Sequence, residues 1–123
     1  MVERKENTKK IGAWGETLAC DYLIRQGYEI VSRNVFTEYG EIDIVARRAD
    51  RIHMVEVKTR RTDAFGRPEE AVTPKKLRHM IDSAAAYLQQ NPDLGQNYQI
   101  DVIAIQVQPD GKDSEITLFE NVI

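Results

Sequence analysis

Apolar and polar residues alternate from Glu41 to Arg47, where Ile42, Ile44 and Ala46 separate Glu41, Asp43 and Arg47. The alternation returns further on, where Val55 and Val57 flank Glu56 and precede Lys58. Two such runs around the polar connection Arg48-Ala49-Asp50-Arg51 predict a β-hairpin whose strands each have one polar side. If Ala49 and Asp50 form a two-residue turn, opposed residue numbers keep a constant sum of 99, and a four-residue loop keeps the same sum. Asp43 is therefore expected opposite Glu56, with Cβ atoms about 4.5–5.5 Å apart and Lys58 on the same side.

The rest of the chain supplies helices and further strands around this hairpin. Ile11, Trp14, Leu18, Ala19, Tyr22 and Leu23 recur at helical spacing and predict a helix over 11–26, which Gly27 ends. Gly12 and Gly15 read as positions of close packing or of a loose helix start rather than a phosphate cradle, because no phosphate-loop pattern accompanies them. A strand is expected over 28–36, a turn over 37–40 and a loop over 62–70. Thr73 is placed to cap a helix with Pro74 at its first position. Leu77, Met80, Ile81, Ala84, Ala85 and Leu88 give that helix an apolar face up to the Asn91-Pro92 stop. Residues 98–107 are dense in Ile and Val and predict a strand, and Pro109-Asp110-Gly111 turns into a last strand over 115–122. The expected class is α/β, a mixed central sheet flanked by helices. Parallel pairing of the fourth strand with the hairpin requires the long helix as its crossover.

Composition narrows the setting. The 123 residues suit one domain, with a polar, flexible stretch over 1–10. No apolar run approaches a membrane span, so the expected location is the cytoplasm without membrane contact. Cys20, the single cysteine, excludes an internal disulfide. Net charge is −3, yet from Asp93 onward six acids face one lysine, a net of −5 that leaves +2 for residues 1–92. Arg47, Arg60, Arg61, Arg67 and Lys75 belong to a basic cluster around the hairpin that can face phosphates.

Charges on a strand are ordinarily a solvated face, and Glu16, on the flank of the first helix's apolar stripe, is ordinarily solvated too. An Asp facing a Glu departs from that expectation, because opposed like charges destabilise a sheet and a shared divalent cation removes the conflict. Histidines do not compete for this role: His53 shares strand parity with Val55 and Val57, and His79 lies off the apolar stripe of its helix.

An Asp on one strand and Glu-x-Lys on the next, in a helix–β–β–β–helix–β order, resembles the PD-(D/E)XK nuclease superfamily. Gly15-Glu16, Gly27-Tyr28, Arg33-Asn34, Gly40-Glu41-Ile42-Asp43, Val55 to Arg60, Ala86-Tyr87-Leu88 and Asp101-Val102 more narrowly resemble the YraN-like family of endonuclease-like proteins. That family is similar to archaeal Holliday junction resolvases. Ile42 stands where the superfamily's Pro would be, and Phe36 replaces a residue that is often basic. The resemblance implies a restriction-endonuclease-like core that cuts DNA with Mg²⁺ or Mn²⁺, with branched or recombining DNA as the candidate substrate. It implies Asp43, Glu56 and the Val57 carbonyl as metal ligands, Lys58 as the group that polarises the attacking water, and Glu16 as a further ligand or orienting group. A homodimer is compatible with it, since resolvases cut two strands symmetrically. The alternative is a non-catalytic nucleic-acid-binding or protein-interaction module on the same fold.

Overall fold

A computed structural model of the chain describes residues 2–61, 72–108 and 114–123, with side chains from residue 12 onward. The order is α1 (Val2–Arg25), β1 (Glu29–Thr37), β2 (Gly40–Arg48), β3 (Arg51–Arg61), α2 (Pro74–Gln90), a 3₁₀ turn at Pro92–Leu94, β4 (Tyr98–Val107) and β5 (Ser114–Phe119). Five strands lie side by side in chain order. All neighbours are antiparallel except β3 and β4, which are parallel and joined through α2. The expected α/β class and crossover hold. Among the described residues no helix is long and apolar enough to cross a membrane.

Local chemistry sets the element ends. α1 starts at Val2, ahead of the expected residue 11, and after Arg25 is closed off by Gly27, whose φ of +92° suits a residue without Cβ. Gly27 N donates to Ile24 O and Tyr28 N to Leu23 O, the paired bonds that close a helix at a left-handed residue. Thr73 accepts a hydrogen bond from Lys76 N through its side chain and Pro74 follows, as expected for the start of α2. β5 stops at Phe119, short of the expected Val122, although Val122 N still donates to Ile100 O. The expected 62–70 loop, with Arg67, and the 109–111 turn lie outside the described residues.

Both sheet faces are covered. Ala19, Cys20 and Leu23 of α1 pack on Ile44, Ala46, Val55, Ile103 and Ile105, while Met80, Ala84 and Leu88 of α2 pack on Ile42, Val45, Ile52, Met54 and Ile100. The expected polar side of the hairpin is thus largely a second core face, as the burial of Val45 and Met54 shows. A parallel β3–β4 pair explains this, because its crossover helix covers the face that the isolated hairpin pattern leaves open.

Candidate functional site

The β2–β3 register has the constant sum of 99, from Arg48 opposite Arg51 to Ile44 opposite Val55. The paired ladder stops there, one position before Asp43 would meet Glu56. Beyond that point Val57 N donates to Asp43 Oδ2 at 2.8 Å, so a side chain takes over between the two strands. The β1–β2 ribbon changes face at the same position. Val35 and its partner Ile42 belong to the α2 core, whereas Ile44, two residues on from Ile42, belongs to the α1 core. Strict alternation would put both isoleucines on one face. Between them, Asn34 adopts a left-handed φ of 52°, which Asn tolerates better than most residues.

This switch gathers the carboxylates. A Cβ on Gly15 would run into Thr59 Oγ1, so α1 crosses β3 at close range and delivers the next residue, Glu16, to the strands. Glu16, Glu41 and Asp43 each offer a carboxylate oxygen, and the three oxygens lie within 4.8 Å of one another. With its amide turned to face them, Asn34 donates to Glu16 Oε2 and Glu41 Oε1, each at 3.0 Å. Arg33 adds a long contact of 4.0 Å to Glu16. Glu56 lies in the same cavity but only 5% exposed, and its Oε1 is 3.4 Å from both Lys58 Nζ and Lys76 Nζ. The cavity, about 460 Å³, opens where β2 and β3 part and is also lined by Val57, Thr59 and Arg61.

Electrostatics marks the site. Burial, then the charge of Glu56, pushes Asp43 up to about 7 against the opposing Val57 N–H bond. Burial and the charge of Glu41 also raise Glu16, although Arg33 and Asn34 pull the other way. An all-oxygen donor set this crowded suits a hard divalent cation, which would offset the repulsion that raises both acids. Glu16, Glu41 and Asp43 can therefore hold Mg²⁺ or Mn²⁺, with Glu56 nearby.

The structure brings Glu16, Asp43, Glu56 and Lys58 together. Two participants were missed in the sequence. Glu41 reads as an ordinary strand charge until the face switch turns it toward Glu16, and Lys76 reads like its neighbour Lys75. Lys75 is exposed, whereas Lys76 reaches Glu56. Arg61 lines the cavity and Arg60 is half-buried beside it in sequence. Arg47 bonds both oxygens of Glu29 at 3.2 Å, four residues up β2 and roughly 13 Å from Asp43 at about 3.3 Å per residue.

Comparison with known proteins places this chain in a family. The model of the uncharacterised protein family UPF0102 matches residues 15–105, a span that holds Glu16, Asp43, Glu56 and Lys58. The chain belongs to the UPF0102 family. It is 47% identical over 104 residues to a UPF0102 protein of Syntrophomonas wolfei, covering 85% of this chain and 90% of that one. It is also 41% identical over 124 residues to a UPF0102 protein of Dichelobacter nodosus, covering 100% and 96%. A UPF0102 protein of Geobacter sulfurreducens is 45% identical over 105 residues, covering 85% and 82%. This UPF0102 chain thus matches these relatives over most of their length.

Proposed function

We propose that this UPF0102 protein is a metal-dependent endonuclease that hydrolyses phosphodiester bonds in DNA, with branched or recombining DNA as the substrate class that its family resemblance implies. The supporting observation is the convergence of Glu16, Glu41 and Asp43 oxygens within 4.8 Å beside Glu56, Lys58 and Lys76. Unneutralised, such crowding costs stability, and a binding module has no use for it next to phosphate.

Bound in the notch, Mg²⁺ or Mn²⁺ supplies Lewis acidity toward a phosphoryl oxygen and toward water. The chain's own residues supply the rest. Lys58 orients and polarises the attacking water and, with Lys76, places positive charge where the phosphoryl group gains negative charge. Glu56 holds both ammonium groups in place. Asn34 fixes Glu16 and Glu41, and Arg61 offers a phosphate contact at the rim. Two copies cutting opposite strands would give a symmetric product.

The test is cleavage of a panel of branched, nicked and continuous DNAs with Mg²⁺ or Mn²⁺, alongside binding with Ca²⁺ or chelator at one fixed salt concentration. Wild type cuts, and Asp43→Asn and Lys58→Ala lose about a hundred-fold or more of that activity. Ca²⁺ strengthens binding to wild type more than to Asp43→Asn, which binds better than wild type in chelator. Equal Ca²⁺ enhancement in the two proteins would remove Asp43 from the cation site. An inactive wild type across all substrates and metals would promote the binding-module reading.

A further inference from the structure

The β1–β2 ribbon ends in a turn that is fixed in place. Thr37 Oγ1 lies 2.9 Å from Gly40 O and 3.0 Å from Ser83 Oγ of α2, and it accepts a bond from Tyr39 N at 3.1 Å. Yet this pinned turn carries two rings in solvent, Phe36 at 78% exposure and Tyr39 at 45%. Phe36 adds nothing to either core. It is the directly opposed partner of Glu41, one of the three gathered carboxylates, so the two side chains leave the same face of the ribbon from strands about 4.8 Å apart.

The surroundings select what can rest on that ring. Glu38, two residues along from Phe36, repels a phosphate but tolerates the uncharged face of a nucleobase. A rigid platform loses little conformational freedom on binding. Aromatic rings that stack on bases are sequence-tolerant, because every base has a π-face. In continuous duplex both faces of a base are already covered by its neighbours, so only an unstacked base is available to such a ring.

We propose that Phe36 stacks on an unpaired nucleobase adjacent to the phosphate held in the notch. The preferred substrate is then DNA interrupted at the cleavage point, with a gap, flap or branch, over continuous duplex. This inference rests on the phosphodiesterase reading of the notch and adds a specificity-determining residue to it.

The experiment compares binding, with Ca²⁺ present, of a continuous duplex and of the same duplex carrying a short single-stranded gap with 2-aminopurine in it. Wild type favours the gapped DNA, and its 2-aminopurine fluorescence changes on binding. Phe36→Ala lowers the gapped-to-continuous ratio roughly ten-fold and loses the fluorescence change, while Phe36→Trp restores both. An unaltered ratio and signal in Phe36→Ala overturns the proposal, as does an equal loss on both DNAs with the signal retained. Absence of cleavage by wild type bears on the nuclease reading alone, since this ratio is read without turnover.

Discussion

Two aspartates on strands of one sheet, Asp43 of β2 and Asp101 of β4, show opposite behaviour. Asp101 of β4 is 0% exposed, yet it stays below the usual carboxylate range, whereas the less buried Asp43 is pushed up to about 7. Burial raises both. For Asp101 that rise is outweighed by three donors: His53 Nδ1 at 2.7 Å from Oδ2, and Gln99 Nε2 and Asn121 N at 2.8 Å from Oδ1. Asp43 has one backbone donor and faces Glu56, Glu16 and Glu41. Donors satisfy the first as a structural clasp on the chain end after β5, and like charges leave the second poised for a cation.

The largest expected effect breaks the symmetry of substitution. Asp101→Asn removes the charge that three donors share and costs about 3 kcal/mol of stability. Asp43→Asn keeps the shape, relieves repulsion and raises stability by about 1 kcal/mol without metal at pH 8. Urea unfolding in chelator measures both. Destabilisation of similar size in the two variants would mean that Asp43 is as well satisfied as Asp101.

How much of this contrast was legible in the sequence depends on how local its cause is. The hairpin register followed from the turn position, and α2 from Thr73-Pro74 and one apolar stripe, since both signals are contained in a few residues. Glu16 was legible as an acid on the edge of an apolar stripe. Glu41 was not, because the face change between Ile42 and Ile44 depends on Asn34 across the ribbon and has no periodic signature. Asp101 entered only as part of a resemblance. Its pairing with His53 is set by the parallel β3–β4 register, in which Asp101 lies opposite Val55, and no turn fixes that register. Lys76 differs from Lys75 only by the helix phase that packing on the sheet sets.

A smaller effect sharpens the comparison through pH. Asp43 titrates near 7 in the folded chain against about 3.9 unfolded. Between those values the folded state holds a proton that the unfolded state has lost, so stability without metal falls as pH rises through the window and then levels off. Glu16, also raised, adds the same sign. Asp101 has the opposite sign, its contribution being lost as pH falls below about 4. From pH 5 to pH 8 wild type in chelator is expected to lose on the order of 2 kcal/mol, and Asp43→Asn less than half of that. Mg²⁺ offsets the fall, because its ligands must be deprotonated. Parallel pH profiles for the two proteins would show that Asp43 does not carry the slope.

The smallest effect tests whether the two ends of the sheet act separately. Ala49 sits in the β2–β3 turn with a φ of 55°, a left-handed conformation that costs an L-residue roughly 1–2 kcal/mol. Gly relieves that strain but gives the unfolded chain more freedom, so Ala49→Gly should stabilise by only about 0.5–1 kcal/mol. The turn belongs to the Asp101 end. Arg48, beside it, lies 4.2 Å over the Tyr28 ring and 3.6 Å from Glu120, and Tyr28 meets His53 edge-on at 4.9 Å. Ala49 lies six positions on from Asp43, roughly 20 Å away at about 3.3 Å per residue. A gain confined to one end should raise the Tm of chelated and Mg²⁺-loaded protein by the same amount, leaving the metal-induced shift unchanged. A smaller metal-induced shift in Ala49→Gly would mean that tightening the turn alters the carboxylate notch, and that the clasp and the site titrate and unfold as one unit.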